Sequence, residues 1–174
     1  MPLRPFGADR PAIGARVYVD PTALVIGRVT LGDDVSVWPM CVLRGDVNEI
    51  RVGARTNVQD ASILHVTHER AGPGSGLACV LGEDVTVGHR VTLHGCTVGN
   101  RCLIGMGAIV MDGAVIEDEV LLAAGSIVPP GKTLQAQSLY LGNPARRVRS
   151  LSAAEIADLA YSASHYLKLK ESYR

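Results

Sequence analysis

The sequence predicts an all-β repeat fold, a parallel β-helix of about six coils followed by one α-helix. Three observations carry this. Aliphatic residues recur every six positions, a step that fits neither the 3.6 of a helix nor a simple alternating strand. Glycine and other small residues keep fixed offsets from them. The 174-residue chain is 47 % hydrophobic yet only 4 % aromatic, the composition of a thin, regular core of small side chains.

The six-residue step runs through Ile13, Val19, Val25, Leu31, Val37 and Leu43. After a three-residue insertion at Asp46 to Asn48 it resumes at Val52, Val58 and Leu64. A Gly-, Pro- and Ser-containing stretch, Val66 to Cys79, interrupts it before Leu81, Val87 and Leu93. One residue is then missing, and Val98, Ile104, Val110, Ile116, Leu122 and Val128 follow. Four positions after these residues the chain is mostly small or aliphatic, as at Ala23, Cys41, Ser62, Cys102 and Ala114. Gly32, Gly53, Gly82, Gly88, Gly99 and Gly105 each follow a leading aliphatic residue, and turn conformations are expected of them. Three hexads close one triangular coil, with faces a, b and c taken in order. Each coil bonds its backbone to the next about 4.8 Å away.

The β-helix is expected over residues 1–150 and the helical appendage over 151–174. Asn143-Pro144 ends the repeats, and Ile156, Leu159, Ala160, Ala163 and Leu167 then follow a helical period. Ser152 with Glu155 three residues later is a capping-box signature. This helix is expected to lie along the prism or to clasp a neighbour.

Composition excludes several functions. Seventeen Lys+Arg balance seventeen Asp+Glu, so the chain lacks the basic field that nucleic acid or anionic lipid requires. No run of eighteen apolar residues predicts a membrane span. The beginning has no apolar signal core, which predicts a cytoplasmic protein. The four cysteines form no CxxC pair. Cys41 and Cys102 are read as core residues. Cys79 and Cys96 fall one coil apart, where a disulfide is sterically feasible, but free thiols are expected in a reducing compartment.

The register places Arg44, His65 and His94 in one column, just after Leu43, Leu64 and Leu93 on face c. Two imidazoles one coil apart can converge on one ion, with Zn–N bonds of about 2.0–2.1 Å. Without a metal or hydrogen bonds they would repel when protonated. His89 lies on face b, above Asp60 with Gln59 beside it. It points in a different direction, so a neighbouring chain is expected to supply it. His165 is read as structural.

NVQDASILHVTH and VTVGHRVTLHGCTVGN, with LRGD at Leu43–Asp46 and the exit YLGNPARRVR, resemble the gamma-class carbonic anhydrases and their bacterial relatives over nearly the whole chain. The resemblance implies a left-handed β-helix and a homotrimer with three zinc sites between subunits. It implies His65 and His94 as ligands from one chain and His89 as the ligand from the next. Arg44, Asp46 and Asp60 match interface salt-bridge residues near the metal. Gln59 matches a residue that hydrogen-bonds the metal-bound water or the substrate, and Asn57 and Tyr161 match positions near the pocket. The implied reaction is reversible hydration of CO₂ to bicarbonate by a zinc-bound hydroxide; Fe²⁺ or Co²⁺ would accept the same ligands. Where the archaeal enzyme has a glutamate proton shuttle three residues after the first ligand, this chain has His68, and Val47 replaces a pocket glutamate. A histidine titrates in the range a shuttle needs. Three other functions stay open on these residues: an acetyl-CoA-dependent acyltransferase, a thioesterase working through the same metal, and a non-catalytic metal-binding trimer.

Overall fold

The computed structural model describes residues 2–70, 72 and 74–173. It is a left-handed parallel β-helix with one C-terminal helix. Face a stacks, in order, Ala12–Ile13, Leu31, Val52, Leu81, Val98, Ile116 and Leu134. Face b stacks Tyr18–Val19, Ser36–Val37, Asn57–Val58, Thr86–Val87, Leu103–Ile104, Leu121–Leu122 and Ser138–Leu141. Face c begins with Leu3–Arg4 against Val25–Ile26 and continues through Leu43, Leu64, Leu93, Val110 and Val128. The six expected coils are present, with a partial coil added at each end. Arg146–Ser150 pairs antiparallel with Ser138–Leu141 and closes the last rung of face b, which blunts an edge open to further pairing.

The hexad residues from Val25 onward form the core, whereas Ile13 is exposed and Val19 only partly buried at the open first coil. Val25, Leu43, Leu64, Leu93, Val110 and Val128 are all fully buried. Cys41 and Cys102 are buried in it, and burial pushes their thiols up to about 11 and about 12. Cys79 and Cys96 are buried and unbridged, as expected.

The glycines after the aliphatic positions serve a different purpose from the one expected. Gly53 has no positive φ; a Cβ there would sit 2.5 Å from the carbonyl carbon of Gly82 in the next coil. The column needs glycine because backbones of adjacent coils touch. At the corner between faces a and b the left-handed turn conformations fall on polar, mostly charged residues, while other corners place them on Met40, Ala61 and glycines such as Gly107 and Gly125. Arg16, Asp34, Arg55, Asp84, Arg101, Glu119 and Gln137 all have φ between 51° and 62°. From Arg16 to Glu119 the charges alternate up the corner, and Arg16–Asp34, Arg55–Asp84 and Arg101–Glu119 close at 2.6, 2.8 and 2.8 Å. Exposed pairs contribute little stability each. A slip by one coil would set like charges against each other, so the ladder favours one register.

The helix spans Ala153–Leu169, and its capping box is formed by Ser152 and Glu155. Seventeen residues at about 1.5 Å rise give roughly 25 Å, close to five coil steps of about 4.8 Å. The helix uses that length to run back down face b. Arg149 holds Glu155 at its start, Ser162 meets Thr86 midway, and Tyr166 meets Trp38 lower down. Tyr18, Trp38, Tyr166 and Tyr173 form one cluster with centroids 5.0–6.1 Å apart. The few aromatic rings of this chain thus fasten the helix to the prism more than they fill the prism. Among the described residues no helix is long and apolar enough to cross a membrane.

Lys170 ends the contact. Its side chain is fully buried, and Nζ donates to Asp34 Oδ1 at 2.8 Å and to the Arg16 carbonyl at 2.5 Å. Hydrogen bonds from Arg16 and Lys170 hold the Asp34 carboxyl down at about 2. Asp34→Ala strands a buried ammonium and is expected to cost about 3 kcal/mol in urea unfolding. Because the folded pKa lies below the unfolded value of about 3.9, the Asp34 contribution is complete above pH 4 and is lost as pH falls toward 2. The stability gap between wild type and Asp34→Ala should narrow across that window.

Candidate metal centre

His65 and His94 are register partners on face c. Their rings face each other with His65 Nδ1 3.0 Å from His94 Nε2. The other nitrogen of each ring meets a carboxylate. His65 Nε2 lies 3.0 Å from Asp46 Oδ1, and His94 Nδ1 lies 2.6 Å from Asp112 Oδ1. These contacts assign an N–H to the outer nitrogen of each ring, which leaves two lone pairs facing across the gap. Burial is the largest influence on the His65 ring and lowers its pKa, against the hydrogen bond to Asp46, which raises it.

The carboxylates are themselves held. Burial would raise the Asp46 carboxyl, but hydrogen bonds from Arg44, His65 and the Val47 N–H outweigh it and hold the group at about 2. Arg44 Nη1 is paired with Asp46 Oδ2 within the chain. Asp112 also accepts from Thr67 Oγ1 at 2.8 Å. Burial opposes its ionisation, yet His94 and Thr67 together lower its pKa.

His89 stands at the corner between faces b and c, with Nδ1 2.9 Å from Asp60 Oδ2. This is the stacking expected of the pair. The His65–His94 pair is elsewhere on the prism, and among the described residues no three His, Cys, Asp or Glu side chains are grouped to hold an ion within one chain.

Gln59 is buried, and a directed chain of hydrogen bonds fixes its amide. Gln59 Nε2 donates to Asn57 Oδ1 at 3.1 Å, Asn57 Nδ2 to Thr86 Oγ1 at 3.1 Å, and Thr86 Oγ1 to Ser162 Oγ at 3.1 Å. Among the described residues no donor meets Gln59 Oε1. A cavity of about 380 Å³ lies here, lined by Gln59, Thr86, His89, Met106, Ser162 and Tyr166 among others. Tyr161, expected near a pocket, is 67 % exposed and stacks on His165; the tyrosine lining this cavity is Tyr166. His68 is exposed in the loop after His65. Asp112 and Thr67 went unread in the sequence. Asp112 stacks one coil above Gly95, one residue past the register of His94, so a count along the His94 column does not reach it.

The sequence model of the family described as "Bacterial transferase hexapeptide (six repeats)" matches residues 95–130. The chain is 53 % identical over 171 residues to protein YrdA of Escherichia coli K12, covering 98 % of this chain and 93 % of that protein. It is 42 % identical over 161 residues to the mitochondrial gamma carbonic anhydrase 2 of Arabidopsis thaliana, covering 92 % of this chain and 58 % of the plant protein. Among solved structures, a hexapeptide transferase family protein from Anaplasma phagocytophilum superposes with a TM-score of 0.91 at 40 % identity, covering 99 % of this chain and 98 % of that one. With this repeat, these paired histidines and these relatives, the chain belongs to the gamma-carbonic-anhydrase-like family of hexapeptide-repeat proteins.

Proposed function

We propose that the chain is a metal-dependent carbonic anhydrase of the gamma type, with zinc held between the subunits of a homotrimer. The observation that carries this reading is the pair of ring nitrogens facing each other at 3.0 Å while a carboxylate lies against the outer nitrogen of each ring. Metal-ligating histidines are oriented in this way. Two nitrogens on a tetrahedral Zn²⁺ stand roughly 3.3 Å apart, given bonds of about 2.0–2.1 Å, so the rings need to part only slightly. All-imidazole donors also suit Fe²⁺ and Co²⁺.

His89 of an adjacent copy completes the ligand set in this reading, its outer N–H held by Asp60. Face c supports such docking. Leu24, Val42, Ile63, Ile109 and Ile127, with Thr92 between Ile63 and Ile109, alternate with its buried core residues and point outward; Ile63 is 46 % and Ile109 37 % exposed. This aliphatic ladder runs beside the His65–His94 column. A closed ring of three would bury it without leaving an open end.

An ion bound there supplies Lewis acidity, which lets water yield a proton near neutral pH. The side chains supply the rest. Gln59 Oε1 accepts a hydrogen bond from the reacting water, and the chain through Asn57, Thr86 and Ser162 keeps the oxygen, not the NH₂, turned to it. Apolar walls from Leu103, Met106 and Leu121 suit a nonpolar substrate such as CO₂. His68 takes the released proton toward solvent.

The cavity volume favours a second reading. A space of about 380 Å³ is in the range that holds drug-sized ligands, far beyond the need of a three-atom substrate. Hydrolysis of an acyl thioester at the same centre would use that room for the acyl chain.

Purified protein is expected to carry about one divalent ion per chain, and His94→Ala should lose it. Unchanged metal in that variant by elemental analysis would contradict the assignment. Asp112→Ala should weaken metal binding roughly 10- to 100-fold in a chelator competition, with the melting profile retained. In stopped flow, CO₂ hydration should rise with pH through about 7, as the reacting water loses its proton. His68→Ala should slow it at low buffer concentration and not at high. Thioester hydrolysis without CO₂ hydration would move the second reading ahead.

A further inference from the structure

The far end of the β-helix holds a second cavity, of about 550 Å³, lined by Glu117, Lys132, Gln135, Tyr140, Arg146 and Arg147 among others. Lys132–Thr133 lies three coils beyond His94 and on face a, roughly 14 Å along the axis at about 4.8 Å per coil. It is separate from the histidine site, and nothing in the proposed reaction uses it.

Its charge is unbalanced. Arg16, Arg44, Arg55, Arg101 and Arg149 each hold a carboxylate. Around this cavity three cations meet one carboxylate. Among the described residues, the side chains of Lys132 and Arg146 have no hydrogen-bond or ion-pair partner. Arg147 is held by hydroxyls alone, Nε to Ser138 Oγ at 3.0 Å and Nη2 to Ser150 Oγ at 2.8 Å. These bonds orient the guanidinium without neutralising it. Glu117 Oε2 is engaged by the Ala136 N–H at 2.8 Å.

The buried hydroxyl of Tyr140 is a second, independent sign. The residue is 4 % exposed, and its oxygen accepts the Gln135 N–H at 2.9 Å. Its own hydrogen is left to donate, and the described residues offer it no acceptor. Three cations, one occupied carboxylate and a buried O–H donor leave a net charge of about +2, which a diphosphate complements better than a carboxylate does. The guanidinium forks suit paired phosphate oxygens, and Lys132 adds a point charge. The volume admits a group attached to the phosphates.

We propose that this cavity binds a small diphosphate-bearing ligand of the nucleoside diphosphate class. Calorimetric titration of the full, metal-loaded chain with ADP tests it. Saturable binding of about one ADP per chain is expected, weakening as salt rises. Lys132→Ala and Arg146→Ala should each weaken it roughly tenfold or more. Neither side chain supports the fold, so their melting temperatures should match wild type. Inorganic pyrophosphate that competes with ADP would support diphosphate recognition; adenosine that binds as tightly as ADP would overturn it. Absence of saturable ADP binding up to millimolar concentration would also overturn the proposal, as would unchanged affinity in both variants.

Discussion

Successive coils of this chain lie one strand spacing apart, about 4.8 Å, and that spacing governs which residue can stand where. Residues equivalent in adjacent coils are in contact. Aliphatic side chains repeated at that interval make the core. Where backbones touch, as at Gly53 against Gly82, no Cβ fits. Charges repeated at that interval must alternate, and from Arg16 up to Glu119 they do. The same spacing brings a nitrogen of His65 to 3.0 Å from one of His94. The histidine pair is thus a special case of the rule that builds the prism.

What was legible in the sequence follows from that rule. The core, the His65–His94 column, Asp60 beneath His89 and the capping box at Ser152 each depend on spacing along the chain and can be counted. Features that depend on what fills the space between columns were not legible. Crowding between coils leaves no mark on one hexad, so the glycines after the aliphatic positions read as turn residues; the left-handed turns fall elsewhere, on polar residues such as Arg55 and Asp84 at one corner and on other glycines such as Gly107 and Gly125. Asp112 stands above Gly95, one residue off the column of His94, and reaches the ring only through its side chain. The aliphatic run continues past Val128 to Leu134, and the six-residue step then reaches Tyr140, where a ring replaces the aliphatic side chain. The meeting of Tyr18 and Trp38 with Tyr166 and Tyr173 joins the two ends of the chain, a contact no local pattern encodes.

The C-terminal helix links the frame to the site. Lys170 and the aromatic cluster fasten its far end to the first coils. Ser162 then anchors the hydrogen-bond chain that sets the Gln59 amide. The orientation of a buried carboxamide on face b is fixed by a helix a hundred residues later in the chain. A helix detached from face b would free that amide to turn while leaving the histidine column intact.

The central claim is that His65 and His94 of one copy share an ion with His89 of the next. His65→Ala and His89→Ala proteins, each deficient in metal alone, can be co-expressed and their mixed trimers isolated. In a mixed ring, one interface joins a chain that retains His65 and His94 to a neighbour that retains His89. Metal content should therefore return in part. If one chain supplied all three ligands, every site in the mixture would still lack one, and mixed rings as metal-poor as the parents would contradict the account.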